Sequence, residues 1–216
     1  YRPIGEVVVH AASRRLTALT LDNLDDLSRP CRSCVSWELD PVAAQRAQDS
    51  GDVALEKEAW LSAVLLGRGS CGFVAYTGSQ PIGHVLYAPP SMVPRAASFP
   101  TSPVSPDAIL LVTAFVQPEQ HGAGVGRSLV QAAAKDLLQR GTRAIEAFGD
   151  ARWERPACLL PAEYLSVLGF QIVRPHDRWP RFRLDLRSTV NWREDVEVAV
   201  ERVLGSVVRE PALRPV

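Results

Sequence analysis

At 216 residues the chain is long enough to bury one sizeable core, and its 46% apolar and 22% charged residues are the proportions of an ordinary globular domain. Basic and acidic side chains balance at 24 each, so the overall charge gives no argument for a general nucleic-acid or membrane-surface binder. No apolar run approaches the roughly 20 residues of a membrane span, and the opening Tyr-Arg-Pro-Ile-Gly-Glu does not have the form of a signal peptide.

Residues 1–14 read as an extension, with Val7, Val8 and Val9 adding an edge strand, ahead of a single domain over 15–187. Leu16 to Leu21 alternates as a first strand, and Asp22 is placed to cap a short helix carrying Leu24 and Leu27. Residues 28–50 show no clear period. Within them, Cys31-Arg-Ser-Cys34 has the spacing of half a zinc site or a redox pair. No second ligand pair follows at similar spacing, and no strand–helix thioredoxin pattern surrounds it. The four cysteines are too few and too scattered for a disulfide framework, so they read as reduced structural thiols of a cytoplasmic protein. From Asp52 the sequence predicts a helix with Val53, Trp60, Leu61, Val64 and Leu65 on its apolar side, ending at Gly67. Cys71–Thr77 and Pro81–Ala88 are two strands joined by the hairpin signal Gly78-Ser79-Gln80. Prolines at 89, 90, 94, 100, 103 and 106 then exclude helix and central strand. A loop of that length reads either as a wall or lid of a substrate site, or as a decoration or a contact between two copies in a homodimer.

Residues 108–116 form a continuous apolar run closed by Pro118, the pattern of a strand buried on both faces. Gly122, Gly124 and Gly126 follow, and Val125, Leu129, Ala132, Ala133 and Leu137 then recur at helical spacing up to Gly141. A strand, a glycine turn and a helix start aim unpaired backbone N–H groups and a positive dipole end at one point, which suits a phosphate. The spacing is neither that of a P-loop, which needs a lysine, nor that of the dinucleotide fingerprint. Further on come a helix around 161–168, a strand at 171–173, and a last core strand. In that strand Phe182, Leu184 and Leu186 oppose Arg181, Arg183, Asp185 and Arg187, which the alternation places on a solvated sheet face. Asn191 opens a terminal helix striped by Trp192, Val196, Ala199, Val203 and Val207 within 188–216.

His121-Gly122-Ala123-Gly124-Val125-Gly126 resembles the pyrophosphate loop of the GNAT N-acetyltransferase superfamily, Arg/Gln-x-x-Gly-x-Gly/Ala, with His121 in the first place. Glu163 to Phe170 resembles the same family's helix ending in Leu-Gly-Phe. The resemblance implies an α/β fold over 15–187, a mixed and mostly antiparallel sheet flanked by helices, with the C-terminal helix as an addition. It implies acetyl-CoA as co-substrate, no metal, no nucleic acid or membrane partner, and direct transfer to a primary amine on a protein lysine or a small molecule. The alternative is a non-catalytic acyl-CoA-binding or sensing domain of the same fold. In this reading His121, Gly122, Ala123, Gly124, Val125, Gly126, Arg127 and Ser128 surround the pyrophosphate, and Ala114, Phe115 and Val116 run beside the pantetheine arm. Glu146, mid-strand among apolar residues, is the first candidate for the base and His84 the second, although many members of the family use a water chain. The family's acid, a tyrosine four residues before the glycine, falls on Leu165, and Tyr164 beside it takes the candidacy.

Overall fold

The computed structural model describes residues 14–153 and 158–187. The strand expected at Val7–Val9 and the helix expected after Asn191 lie outside those residues. An open eight-stranded sheet has the order β1-β2-β3-β4-β5-β8-β7, with β6 beside β5. The strands are β1 (Arg14–Ala18), β2 (Gly72–Thr77), β3 (Gln80–Ala88), β4 (Ala108–Val116), β5 (Ala144–Asp150), β6 (Leu160–Pro161), β7 (Gln171–Arg174) and β8 (Arg181–Asp185). Only β4–β5 and β5–β6 pair parallel; every other pair is antiparallel. This is the mixed, mostly antiparallel α/β sheet that the sequence predicts.

Two layers cover the sheet. On one face lies α4 (Val125–Gln139), whose Val125, Leu129, Ala133 and Leu137 recur every four residues and bury against Val85, Ile109 and Ile145. α5 (Ala162–Val167) joins it there through Leu165. Each such aliphatic side chain contributes on the order of 2 kcal/mol by leaving water. The other face carries α3 (Val53–Arg68), which packs Trp60, Leu61 and Val64 inward. The residues between the first strand and α3, featureless by period, form α1 (Arg29–Arg32) and α2 (Pro41–Ser50). α3 continues through Gly67, which meets no neighbouring atoms, and ends at Gly69, whose φ of 71° is the left-handed turn a C-cap needs. The first strand stops at Ala18, and Leu21–Asp26 is a 3-10 turn capped by Thr20 and Asn23 rather than a helix capped by Asp22.

The proline-rich segment is part of the α3 layer. Because proline has no N–H for a ladder, the chain crosses the face as two 3-10 turns, Pro90–Met92 and Pro94–Ser98, and buries Val93, Ala96, Phe99 and Val104. Phe99 stacks on Phe148 at 4.3 Å and on Trp37 at 5.5 Å, and the Trp60 indole donates to the Met92 carbonyl at 2.7 Å. Under the same layer the buried Lys57 ammonium pairs with the buried Glu38 and donates to the Cys34 carbonyl at 3.1 Å.

The site is positioned by a fork in the sheet. β4 and β5 pair only from Ala108 with Ala144 to Leu110 with Glu146, and then separate. Opposite Leu86 and Tyr87, β4 carries one extra residue, Val112, a bulge that bends the strand at that level. Glu146, the last residue of β5 paired with β4, is fully buried. Its carboxylate is paired with Arg181, accepts from Arg183 at 3.3 Å and accepts from the Ser105 amide at 3.1 Å. Arg183 lies directly across from Glu146 on β8 and also reaches Asp107, just before β4, at 3.0 Å. The arginine side of β8, expected to face solvent, thus turns inward at these two positions, because the buried carboxylate needs compensating charge. Glu146→Gln preserves the shape and leaves two guanidinium groups without that charge. It is expected to lower stability by about 3–5 kcal/mol in urea titrations. A loss under about 1 kcal/mol would show that the network does not hold the fork together.

Candidate active site

Past the fork, one edge of β4 has no neighbouring strand. The Gln117 amide donates to Ile82 of β3 at 2.9 Å. Backbone groups alternate between a strand's two edges, so those of Ala114 and Val116 point away from β3 into the open fork. Of the three residues that the sequence assigns to this stretch, Ala114 and Val116 present their backbone groups to the fork and Phe115 presents its own to β3. The Val116 carbonyl is engaged by His121 Nε2 at 3.0 Å.

The chain then turns through Pro118–Gln120 into the glycine loop. Gly122 and Gly124 have φ of 76° and 77°, and a Cβ at either would meet nothing within 4 Å, so backbone conformation rather than space calls for glycine there. Gly124 precedes α4 without a side-chain cap. The first bond of the helix is Ser128 N–H to the Gly124 carbonyl at 3.0 Å, so the amides of Val125 and Gly126 come before the helix's own ladder. The loop's other amides are partly committed: Ala123 donates to the Gln120 carbonyl at 3.3 Å, and Ser128 is inside the helix. The Arg127 side chain leans on α5, donating to the Val167 carbonyl at 3.4 Å. Arg14 of β1, which the sequence places in an extension, donates to the Ala123 carbonyl and braces the loop from outside. A contact across 109 residues leaves no trace in local pattern.

Gly126 is a different case. A Cβ there would lie 2.1 Å from the Tyr164 hydroxyl and 3.5 Å from Val116 Cγ2. The start of α4, the end of β4 and the half-buried phenol of α5 thus meet at one point. Burial raises the Tyr164 pKa, against a smaller lowering by Arg127, so the hydroxyl carries its proton at neutral pH. Leu165, at the family's tyrosine position, is fully buried among the α4-face side chains.

The remaining candidates lie under the α3 layer. Glu146 is on the side of Ala144 and Phe148, as the alternation predicts, but its oxygens are occupied by Arg181, Arg183 and Ser105 and do not open into the fork. His84, 1% exposed, stacks on Phe115 at 5.6 Å, and its Nε2 has no hydrogen-bond partner among the described residues. Burial, with a smaller contribution from the Lys57 charge, lowers its pKa to about 3. Glu146, His84 and Tyr164 are therefore not gathered into one cluster: Tyr164 is on the α4 face, the other two on the opposite one. Among the described residues no group of three or more His, Cys, Asp or Glu side chains is placed to hold a metal ion, and no helix is long and apolar enough to cross a membrane.

A forked sheet whose open strand leads through a glycine turn into an uncapped helix start has a form suited to an extended, phosphate-bearing ligand. The chain belongs to the acetyltransferase (GNAT) family, whose model matches residues 22–160. No curated protein shows significant sequence similarity to it. Among solved structures it is similar to the PaiA N-acetyltransferase of Thermoplasma acidophilum in complex with coenzyme A, at 12% identity and a TM-score of 0.52, covering 80% of this chain and 99% of that one. It is likewise similar to YncA of Salmonella typhimurium, solved with acetyl-CoA, at 12% identity and a TM-score of 0.52, covering 80% and 94%. An N-acetyltransferase from Staphylococcus aureus matches at 14% identity and a TM-score of 0.51, covering 81% and 99%. At these identities the likeness is one of fold.

Two measurements test the site's geometry. Gly126→Ala forces the new methyl into the Tyr164 hydroxyl and is expected to cost about 1–3 kcal/mol; Tyr164→Phe, which removes that oxygen, is expected to restore at least half in the double variant. Strict additivity of the two changes would show that the groups do not meet. For His84, the folded state stays neutral down to about pH 3, whereas the unfolded chain takes up a proton near its ordinary pKa of about 6.5. Stability from this group is therefore fully present above about pH 6.5 and falls as pH drops toward 3. The stability difference between the parent and His84→Leu should shift against the parent between pH 7 and 4.5; parallel curves would refute the buried neutral assignment.

Proposed function

We propose that the protein transfers the acetyl group of acetyl-CoA to a primary amine by direct attack, and that its acceptor is a protein lysine or a small-molecule amine. The observation that carries this reading is the open edge of β4 leading straight into the bare start of α4. Acetyl-CoA supplies the acetyl group as a reactive thioester. The residues present fit it: the first-turn amides of Val125 and Gly126 suit the pyrophosphate, and at Gly126 the space a Cβ would fill is kept narrow by Tyr164. Ala114 and Val116 offer the backbone groups that an amide-bearing arm needs, and an N–H on this edge is suited to stabilise charge developing on a carbonyl oxygen. His121, standing where relatives carry Arg or Gln, fixes the turn by binding the Val116 carbonyl.

Proton transfer follows from the environments. Glu146 serves as the electrostatic pin of the fork, not as the base, since its lone pairs are already taken. His84, neutral and hard to protonate, accepts a hydrogen bond better than a proton. The amine therefore loses its proton to solvent, and Tyr164, protonated and next to the cofactor loop, is the group available to return one to the departing thiolate. The four free cysteines support action in the reducing cytoplasm.

A second reading, a non-catalytic acyl-CoA sensor, draws support from the buried Leu165 and the engaged Glu146. One experiment separates them. Calorimetry with coenzyme A should show binding that Gly124→Val, strained at a φ of 77°, weakens at least tenfold. Free CoA release from acetyl-CoA across a panel of amines and lysine peptides should identify an acceptor. Binding without release across the panel would favour the sensor; no binding would remove both readings.

A further inference from the structure

The cysteines that sequence spacing groups as Cys31 and Cys34 are regrouped by the fold. Cys34 follows α1, and Cys158 follows β5; 124 residues of chain separate them, yet both line one small pocket together with Cys31, Lys57 and Thr113. One hydrogen bond holds the segments together beside the sulfurs, from the Trp37 indole to the Cys158 carbonyl at 3.1 Å, while the Cys34 thiol donates within its own segment to Ser36 Oγ at 3.2 Å. Lys57 Nζ sits on the Cys34 carbonyl at 3.1 Å. The neighbouring Cys158 thiol lowers the Cys34 pKa, and the neighbouring Cys34 thiol, with burial, raises that of Cys158. Cys31 lines the same pocket, and burial raises its pKa. Cys34 and Cys158 are both partly exposed, whereas Cys71 is fully buried. Among the described residues the cysteines do not form a metal-holding group.

We propose that Cys34 and Cys158 form an oxidisable dithiol, a modification site for low-molecular-weight disulfides that links the α1–α2 connection to the chain after β5. The Cys34 thiolate attacks one sulfur of the small disulfide, forming a mixed disulfide and releasing one thiolate. Cys158 gives up its proton and attacks the Cys34 sulfur, releasing the second. Two cysteine thiols are oxidised by two electrons, and the reagent is reduced to two thiols. The bond closes across the pocket walls beside Thr113, on the stretch of β4 that has left β5. A consequence for acetyl transfer rests on the proposed function; formation of the bond does not.

The test is oxidation of the full chain with oxidised glutathione, alkylation of remaining thiols, trypsin digestion and mass spectrometry. Cleavage after Arg32 separates Cys31 from Cys34, so each pairing gives a distinct linked peptide. The expected product joins the peptides carrying Cys34 and Cys158, with Cys31 and Cys71 alkylated. In Cys158→Ser a glutathione adduct should instead persist on Cys34, and Cys31→Ser should oxidise as the parent does. A Cys31–Cys34 link, a stable glutathione adduct on Cys34 in the parent, or four alkylated thiols would each overturn the proposal. Coenzyme A affinity, measured on the same samples, reports separately on the cofactor loop.

Discussion

Glu146 can be buried in an apolar strand only because Arg181, Arg183 and the Ser105 amide surround its carboxylate. A lone carboxylate at that depth would be far too costly to desolvate. The arrangement draws on β5, on β8 and on the chain entering β4, so a single charge fixes three backbone segments in one register. A slip of one residue along β5 would send the carboxylate to the α4 face, among Val125 and Leu129. Beyond that point nothing binds β4 to β5, and the unpaired edge of β4 needs other partners. The ligand groove is thus the continuation of a structural decision made at its base.

The two faces of the sheet differ in chemistry as well as in content. Beneath α4 the packing is aliphatic and regular, as suits a scaffold that must hold one helix start in place. Beneath α3 the packing is aromatic and interrupted by Lys57, Glu38 and His84, with cysteines along its margin. The Lys57 charge reaches far enough to contribute to keeping His84 neutral. Polar groups of this kind cost stability unless fully partnered, so the α3 side depends on its specific pairings in a way that the aliphatic α4 side does not.

Much of this was legible in the sequence. The apolar run of β4, the glycine loop, the period of α4 and the hairpin of β2 and β3 are local patterns, and each lies where its pattern puts it. The sites of error share a physical cause. α3 runs past Gly67 because the left-handed residue that stops it is Gly69, and only backbone conformation distinguishes the two. The arginines of β8 look solvated until Glu146 is seen across the ladder, a pairing between distant strands. Glu146 itself was visible as an anomaly, a charge in an apolar strand, but its partners Arg181, Arg183 and Ser105 were not. Arg14 on the loop and Cys158 beside Cys34 are contacts of more than 100 residues' separation, beyond any periodicity.

The scarcity of lysine acquires meaning from where the two lysines are. Lys57 is sealed in its ion pair with Glu38, which keeps its amine out of reach of acylating reagents, whereas Lys135 stands exposed on α4. Guanidinium groups, which supply nearly all the remaining positive charge, do not react with activated esters. Among lysine side chains, amine-directed coupling therefore has a single accessible address, on the outer surface of the helix that begins at the glycine loop. A dye placed there would report on that helix from a defined position, without a mixture of labelled species.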